Sequence, residues 1–394
     1  MRVSDLKVDP TITEWFEINN SRPKTIKLYL LGMQHYTEYI NMTPVELIEE
    51  AEVDIETGML PKKRRIKKHM VGFRKHLHDS GLSPMSVHGY IAAVRSFYTA
   101  HEIELPHMSR EGAGYRPKKE NLRLPTIENL RHTQKMCSVL EEALLLCGIS
   151  SGMGAAELAE IPLSVFEEGY DPETEVTVLD MRRGKVGFDF VTFLSPEASR
   201  AVLRYIDYRN RAPKNVWHVK KFEKRKTTPG SYLFITQKVR AEYLQTPDEK
   251  ARKMTSESIQ KVYRVLSNRA GLDTADGIYN IIRSHNMRKL FSSRLKNAGC
   301  DSDLVEYFMG HTIGRTKGAY YQPDIPKLKE IYIKFVPHLI VSEEFELKEE
   351  LKKRDDEIDR YDSVMADMQR QIDDLRKGMP WAMELGHRIE PVDE

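Results

Sequence analysis

Three short pieces between residues 285 and 324 decide how this chain reads: His285-Asn286-Met287-Arg288, Met309-Gly310-His311 and Ala319-Tyr320-Tyr321-Gln322-Pro323-Asp324. An imidazole and a guanidinium three residues apart fall on one face of a helix. A second histidine follows a glycine, and a phenol stands nine residues beyond it. Tyr320 and Tyr321 differ by one step, which turns a helical side chain by about 100°, so only one of the two faces the other groups. Each residue alone has an ordinary explanation: His285 as a hydrogen-bonded helix residue, Tyr320 as core packing. Zinc held by His285 and His311 lacks further close ligands. Together, the residue types suit one reaction, the breaking of a phosphodiester with neither water nor metal.

Working outward, the N-terminal third reads as helices. Ser21 and Pro23 open a segment in which Ile26, Tyr29, Leu30, Met33, Tyr36 and Ile40 recur at steps of three to four. A second runs from about Arg65 to His78, with Met70, Phe73 and Leu77 on one face. A third starts at Ser83-Pro84, a cap followed by proline at the first helical position. From His107 to Pro125, Gly112, Gly114, Pro117 and Pro125 break the pattern and basic residues replace apolar ones, the mark of a linker. Helical spacing returns over Ile127–Cys147. Val176–Met181 and Phe188–Leu194 read as short strands around a turn at Arg183-Gly184, and Ser195-Pro196-Glu197 caps a further helix. Near the end, Leu347, Leu351, Ile358, Tyr361, Met365, Met368, Ile372 and Leu375 form a heptad seam flanked by charge, which suits either a coiled coil or an amphipathic helix docked on its own domain. The expected architecture is therefore mainly α with a small antiparallel sheet (α+β). It comprises a helical domain 1–106, a basic linker 107–125, a second domain 126–342, a coiled-coil-like helix 343–377 and an acidic tail 378–394.

Composition narrows the classes of function. With 394 residues and 40% hydrophobic content the chain buries sizeable cores, enough for two to three domains. Cys137, Cys147 and Cys300 form no CxxC pair, so neither a disulfide framework nor a zinc site is expected, which fits a reducing cytoplasm. No apolar run approaches the roughly 20 residues of a membrane span, and no secretory signal is evident. The net charge of +2 conceals a separation of signs. Basic clusters sit at Lys62–Lys68, Arg116–Arg123 and Lys220–Lys226, while acid concentrates after residue 342, consistent with a phosphate-backbone partner held by part of the molecule.

At the three quoted pieces the chain resembles the tyrosine recombinases, or phage integrases. The segment Ala319–Asp324 followed by a helix is most similar to archaeal integrase-like members. The resemblance spans roughly residues 12–340. It implies a helical core-binding (SAM-like) domain and a catalytic domain that clamp double-stranded DNA. It also implies a covalent 3′-phosphotyrosine intermediate, no cofactor or metal, and a homotetramer on paired sites. Tyr320, with Tyr321 as alternative, becomes the nucleophile. Arg288, His285 and His311 then face the scissile phosphate, and Lys185 on the hairpin resembles the family's general acid. Negative charge building on the non-bridging oxygens explains why fixed donors are needed there. The expected location is the cytoplasm, on the nucleoid, and the seam Leu347–Leu375 offers a coiled-coil partner surface.

One departure stands out. Where the family reads T-G-L-R-x-S-E-L, this chain reads Ser151-Gly152-Met153-Gly154-Ala155-Ala156-Glu157-Leu158, with Gly154 at the arginine position. Losing one preorganised donor costs about 10²- to 10³-fold in rate. Arg182 or Arg183, beside Lys185, is the expected substitute. Two readings of other classes remain beside the enzyme: a family member that binds its site without cutting it, and a coiled-coil regulatory protein whose basic patches are only solvated faces.

Overall fold

A computed structural model of the chain describes residues 1–105, 107, 119–184, 187–213, 218–239, 241–272, 274–275, 278–311 and 324–378. The chain divides into two compact units, Met1–Pro117 and Lys118–Glu394. Of the expected linker, residues 108–118 lie outside the described ones, as does the acidic tail beyond Gly378.

The first unit is helical: α1 (Val3–Leu6), α2 (Pro10–Ile18), α3 (Pro23–Ile40), α4 (Pro44–Glu56), α5 (Arg65–Asp79) and α6 (Pro84–Ala100). Proline begins α2, α3, α4 and α6, where its missing N–H costs nothing. Asp9, Thr43 and Ser83 cap α2, α4 and α6 by accepting a bond from an amide of the first turn. Trp15, Tyr36, Phe73, Phe97 and Tyr98 fill the core. Their three polar ends are satisfied: Trp15 Nε1 donates to Ser96 Oγ at 3.1 Å, and the Tyr36 and Tyr98 hydroxyls meet at 3.2 Å. Helices α2 and α4 were not singled out from the sequence, although each opens with proline after a capping side chain.

The second unit runs α7 (Ile127–Lys135), α8 (Val139–Ser151), α9 (Ala155–Ala159), α10 (Leu163–Gly169), β1 (Thr177–Arg183), β2 (Phe188–Leu194), α11 (Pro196–Asn210), α12 (Val219–Arg225), α13 (Glu249–Arg252), α14 (Ser256–Arg269), α15 (Ser284–Asn297), α16 (Ser302–Phe308), α17 (Ile325–Phe335) and α18 (Glu343–Gly378). It is mainly α with one antiparallel two-stranded sheet, in the register Thr177↔Leu194 through Arg183↔Phe188. Helix α8 is the spine, buried on nearly every side from Leu140 to Ser151, with α11, α14, α15 and the hairpin around it. Tyr263 of α14 and Tyr332 of α17 each send a buried hydroxyl to an α8 carbonyl, Leu144 O at 2.7 Å and Ser150 O at 2.8 Å.

Two expectations are corrected. The stretch Ile127–Cys147 is two helices, because Ser138 caps a new one at Val139 and its backbone N–H donates to Glu141. Strand β1 extends through Arg183, so Arg182 and Arg183 belong to the ladder and not to the turn. At the far end, α18 is a single 36-residue helix. Its seam residues Leu347, Ile358, Tyr361, Met365, Met368 and Ile372 are exposed, so over these positions it is not docked on its own domain. The side chains of Leu351 and Leu375 lie outside the described ones. Among the described residues no helix is long and apolar enough to cross a membrane.

Candidate active site

Two left-handed glycines build the floor of the site. Gly152 (φ +64) ends α8 and Gly310 (φ +68) ends α16, a backbone region that side chains with a Cβ rarely enter. A Cβ on Gly152 would also meet the Phe291 ring at 2.4 Å. These reversals turn the carbonyls of Gly152, Met309 and Gly310 toward α15 and the hairpin. Met287, Leu290, Phe291 and Leu295 are buried and pin α15, which fixes where Arg288 can reach.

Arg288 donates through Nη1 to Gly152 O at 2.8 Å and through Nη2 to Met309 O at 2.6 Å. Nη2 also lies 2.8 Å from His311 Nε2. A guanidinium offers no lone pair, so Nε2 must accept, and Nδ1 carries the proton and donates to Glu306 Oε2 at 2.5 Å. Lys296 holds the other oxygen of Glu306 at 2.7 Å. Burial pushes the Glu306 carboxyl up, yet Lys296 and His311 outweigh it and hold the group below the usual carboxylate range. Among the described residues, three of the five N–H groups of Arg288 find a partner, and Nε–H and one Nη1 hydrogen have none.

Arg183 completes the arrangement. Its alternation with Leu179 and Met181 puts it on the inward face of β1. Nη1 donates to Gly310 O at 2.9 Å, next to the carbonyl that Arg288 holds, and Nε donates to Glu157 Oε1 at 2.8 Å. Burial raises the Glu157 carboxyl, but its backbone N–H bond and the cations Arg183 and Arg288 hold it below its ordinary value. Burial pushes the Arg288 guanidinium down, with Arg183 adding to the effect and Glu157 and Glu306 opposing it. Arg182 points the other way. Its Nη1 bonds both oxygens of Asp189, its partner across the ladder, at 2.9 and 2.8 Å, and both side chains are about two-thirds exposed (67% and 66%).

His285 is exposed on the otherwise buried first turn of α15, three residues before Arg288. Partial desolvation and the cations Lys289, Arg283 and Arg288 lower its pKa, which favours the neutral imidazole. Of the residues picked from sequence, Arg288, His311 and Arg183 come together, His285 stands one helical turn away, and Arg182 does not join them. Lys185, Tyr320 and Tyr321 lie outside the described residues. Sequence reading missed Glu157 and Glu306. Glu157 is visible as the third residue of α9 after its Gly154 cap, where a carboxylate meets free amides. Nothing local marks Glu306, whose partners come from the end of its own helix and from α15. No group of three or more His, Cys, Asp or Glu among the described residues could hold a metal ion.

The sequence model of the Phage integrase family matches residues 119–325, which contain every residue named in this site. The tyrosine recombinase XerD of Listeria monocytogenes is 22% identical over 327 residues, covering 79% of this chain and 92% of that protein. The tyrosine recombinase XerC of Leptospira interrogans is 20% identical over 336 residues, covering 81% of this chain and 89% of the relative. Among solved structures, the XerH site-specific recombinase bound to a palindromic difH substrate covers 79% of this chain and 80% of its own, with a TM-score of 0.49 and 15% identity.

Proposed function

We propose, for a chain that belongs to the phage integrase family and is therefore a tyrosine-type site-specific recombinase acting on DNA, that the Arg288, His311 and Arg183 cluster binds the scissile phosphate. The observation that carries this reading is the convergence of two guanidinium groups on the adjacent carbonyls of Met309 and Gly310, each with donors to spare. The tyrosine oxygen, from Tyr320 or alternatively Tyr321, attacks phosphorus while the bond to the 5′ oxygen breaks. Phosphate remains on the tyrosine as a 3′-phosphotyrosyl ester, and Lys185 supplies the proton that the departing 5′ oxygen takes up. As charge builds on the non-bridging oxygens, the unused N–H groups of Arg288 and Arg183 point at fixed positions and cost no reorganisation. His311, held by Glu306 and accepting from Arg288 through Nε2, steadies that guanidinium, while His285 assists the proton movement of the tyrosine or donates to a phosphate oxygen. The ester conserves the bond energy, so a second DNA strand can displace the tyrosine without a cofactor.

Arg183 supports an active enzyme against the reading of Gly154 as the scar of a family member that only binds its site. The first unit's residues 1–106 are the core-binding, DNA-gripping domain in this proposal, and the catalytic domain spans 126–342. Each protomer carries one nucleophile, so exchange of four strands needs four protomers on paired sites. The exposed seam of α18 is the surface through which copies pair as a coiled coil. The test is a nicked duplex site that traps the covalent adduct. Wild type and one of the two variants Tyr320→Phe and Tyr321→Phe should form it, and the other should not. Site-specific retention of DNA by the wild type without any adduct would leave only the binding reading. Replacing Ile358 and Met365 with Glu should weaken self-association measured by sedimentation and leave adduct formation on a single site intact.

A further inference from the structure

Tyr279, in the loop that leads into α15, is 60% exposed, more than any other large apolar side chain described among residues 118–342. A ring left in water forgoes its burial energy, so its surroundings decide whether it is idle. They are those of a fixed element. The Tyr279 backbone N–H donates to Oδ1 of the buried Asn121 at 2.6 Å, and just before it Thr274 Oγ1 donates to Ile278 O at 2.8 Å. On its other side Ile282 is fully buried, and Asn286, 2% exposed between His285 and Met287, donates through Nδ2 to Ile281 O at 2.9 Å and to Arg123 O at 3.1 Å. The ring is thus held in place without being covered.

Arg283 occupies one side of it, with its guanidinium carbon 4.4 Å from the ring centroid. Two bonds keep that cation there, Nε to Asn286 Oδ1 at 2.9 Å and Nη2 to Asn121 O at 3.1 Å, and Nη1 has no partner among the described residues. A ring backed by a cation stacks on a flat aromatic ligand, and spare N–H groups beside it suit a phosphate. A nucleotide carries both. The platform also adjoins the chemistry, since Arg283 is the residue that precedes α15, two positions before His285 and five before Arg288. We propose that Tyr279 stacks on the terminal base of the cut strand while that strand changes partners. The inference rests on the covalent reading of the reaction, in which cutting leaves a free 5′ end whose first base has lost its stacking neighbour. Held on Tyr279, that base keeps its 5′ hydroxyl near the phosphotyrosyl ester. The hydroxyl oxygen attacks phosphorus, the bond to the tyrosine oxygen breaks, and the proton moves from the hydroxyl to the phenol.

The experiment traps the covalent adduct on a nicked duplex, adds a DNA strand with a free 5′ hydroxyl and follows rejoining, with thermal unfolding and affinity for the intact duplex measured alongside. Tyr279→Ala should rejoin about tenfold more slowly, the effect of losing one base stacked on an aromatic ring. Its unfolding should match wild type and its affinity should stay within about twofold, since the ring is exposed and Arg283 keeps both of its bonds. Tyr279→Phe, which keeps the ring, should rejoin at the wild-type rate. On an added strand whose 5′-terminal nucleotide lacks its base, the difference between wild type and Tyr279→Ala should vanish, a result that a merely structural role would not produce. Wild-type rejoining by Tyr279→Ala would overturn the proposal, as would a difference that persists undiminished on the strand lacking the base. A Tyr279→Phe protein as slow as Tyr279→Ala would also overturn it, because the hydroxyl and not the ring would then carry the effect. Failure of the wild type to form any adduct would overturn the covalent reading beneath, and the stacking role with it.

Discussion

Of the arginines that bond backbone carbonyls in the second unit, two pairs differ in how many donors they leave over among the described residues. Arg252 is fully buried and spends all five N–H groups, on Glu249, the carbonyls of Lys224 and Lys226, and the hydroxyls of Thr228 and Ser231. Arg209, equally buried, spends four, on the carbonyls of Arg225, Tyr232 and Leu233 and on Ser231 Oγ. Arg288 and Arg183 have three and two engaged. The first pair knits together the irregular segment between α12 and α13, where few backbone groups have helical or ladder partners. The second pair is held by the backbone but keeps donors in reserve. A guanidinium whose donors are exhausted is a structural pin, whereas one that is fixed and unfinished is prepared for an anion.

Mutations break or sharpen that contrast. Arg252→Ala should cost the most, roughly 3 to 5 kcal/mol of stability, because it removes the cationic partner of Glu249 and five hydrogen bonds made by one fully buried side chain; a thermal or urea unfolding curve close to wild type would blur the distinction. Arg288→Ala should leave unfolding nearly unchanged and slow covalent adduct formation by about 10²- to 10³-fold. A large stability loss without a rate effect would place Arg288 with the pins. Within the hairpin, Arg183→Ala should slow the adduct by a similar order, while Arg182→Ala, which breaks only an exposed ion pair, should stay within about twofold in rate. Equal rates for the two would erase the inward and outward faces as a guide to function.

The smallest effect concerns His285. Its folded-state pKa lies below 6.5, so it remains neutral until the pH falls further than for a histidine in the unfolded chain. The unfolded chain takes up its proton first, so any stability it confers is present above pH 6.5 and declines as pH drops toward the folded value. An NMR titration should place the midpoint below 6.5, and Lys289→Gln, removing the cation that lowers it most, should move it upward. A midpoint at or above 6.5 in the wild type would contradict the electrostatic picture of the first turn of α15.

How far the site was legible depended on the reach of each interaction. His285 and Arg288 are three residues apart on one helix, and Gly310 with His311 forms one turn, so local spacing exposes them. The choice between Arg182 and Arg183 was also within reach, since Leu179 and Met181 already mark the inward face at a period of two and Arg183 continues it. Extending the turn to include Arg183 hid that signal. Glu306 was out of reach, because its value comes from Lys296 on α15 and from a reversal at Gly310. Fully buried Arg209 and Arg252 were equally invisible, being indistinguishable by type from the exposed lysines and arginines around them.

By itself, the sequence determined the helical N-terminal unit, the hairpin followed by a capped helix, the order of histidine, arginine, glycine, histidine and tyrosine, and the loss of arginine at 154. These follow from periodicity, capping and short spacing, which act over a few residues. Only the tertiary structure decided which arginine lies on the inward face beside Arg288 and which carboxylates hold Arg183 and His311 in place. Those answers depend on carbonyls and side chains from different elements, as far apart as the 136 residues between Arg288 and Gly152, and no local pattern carries the free energy of such contacts.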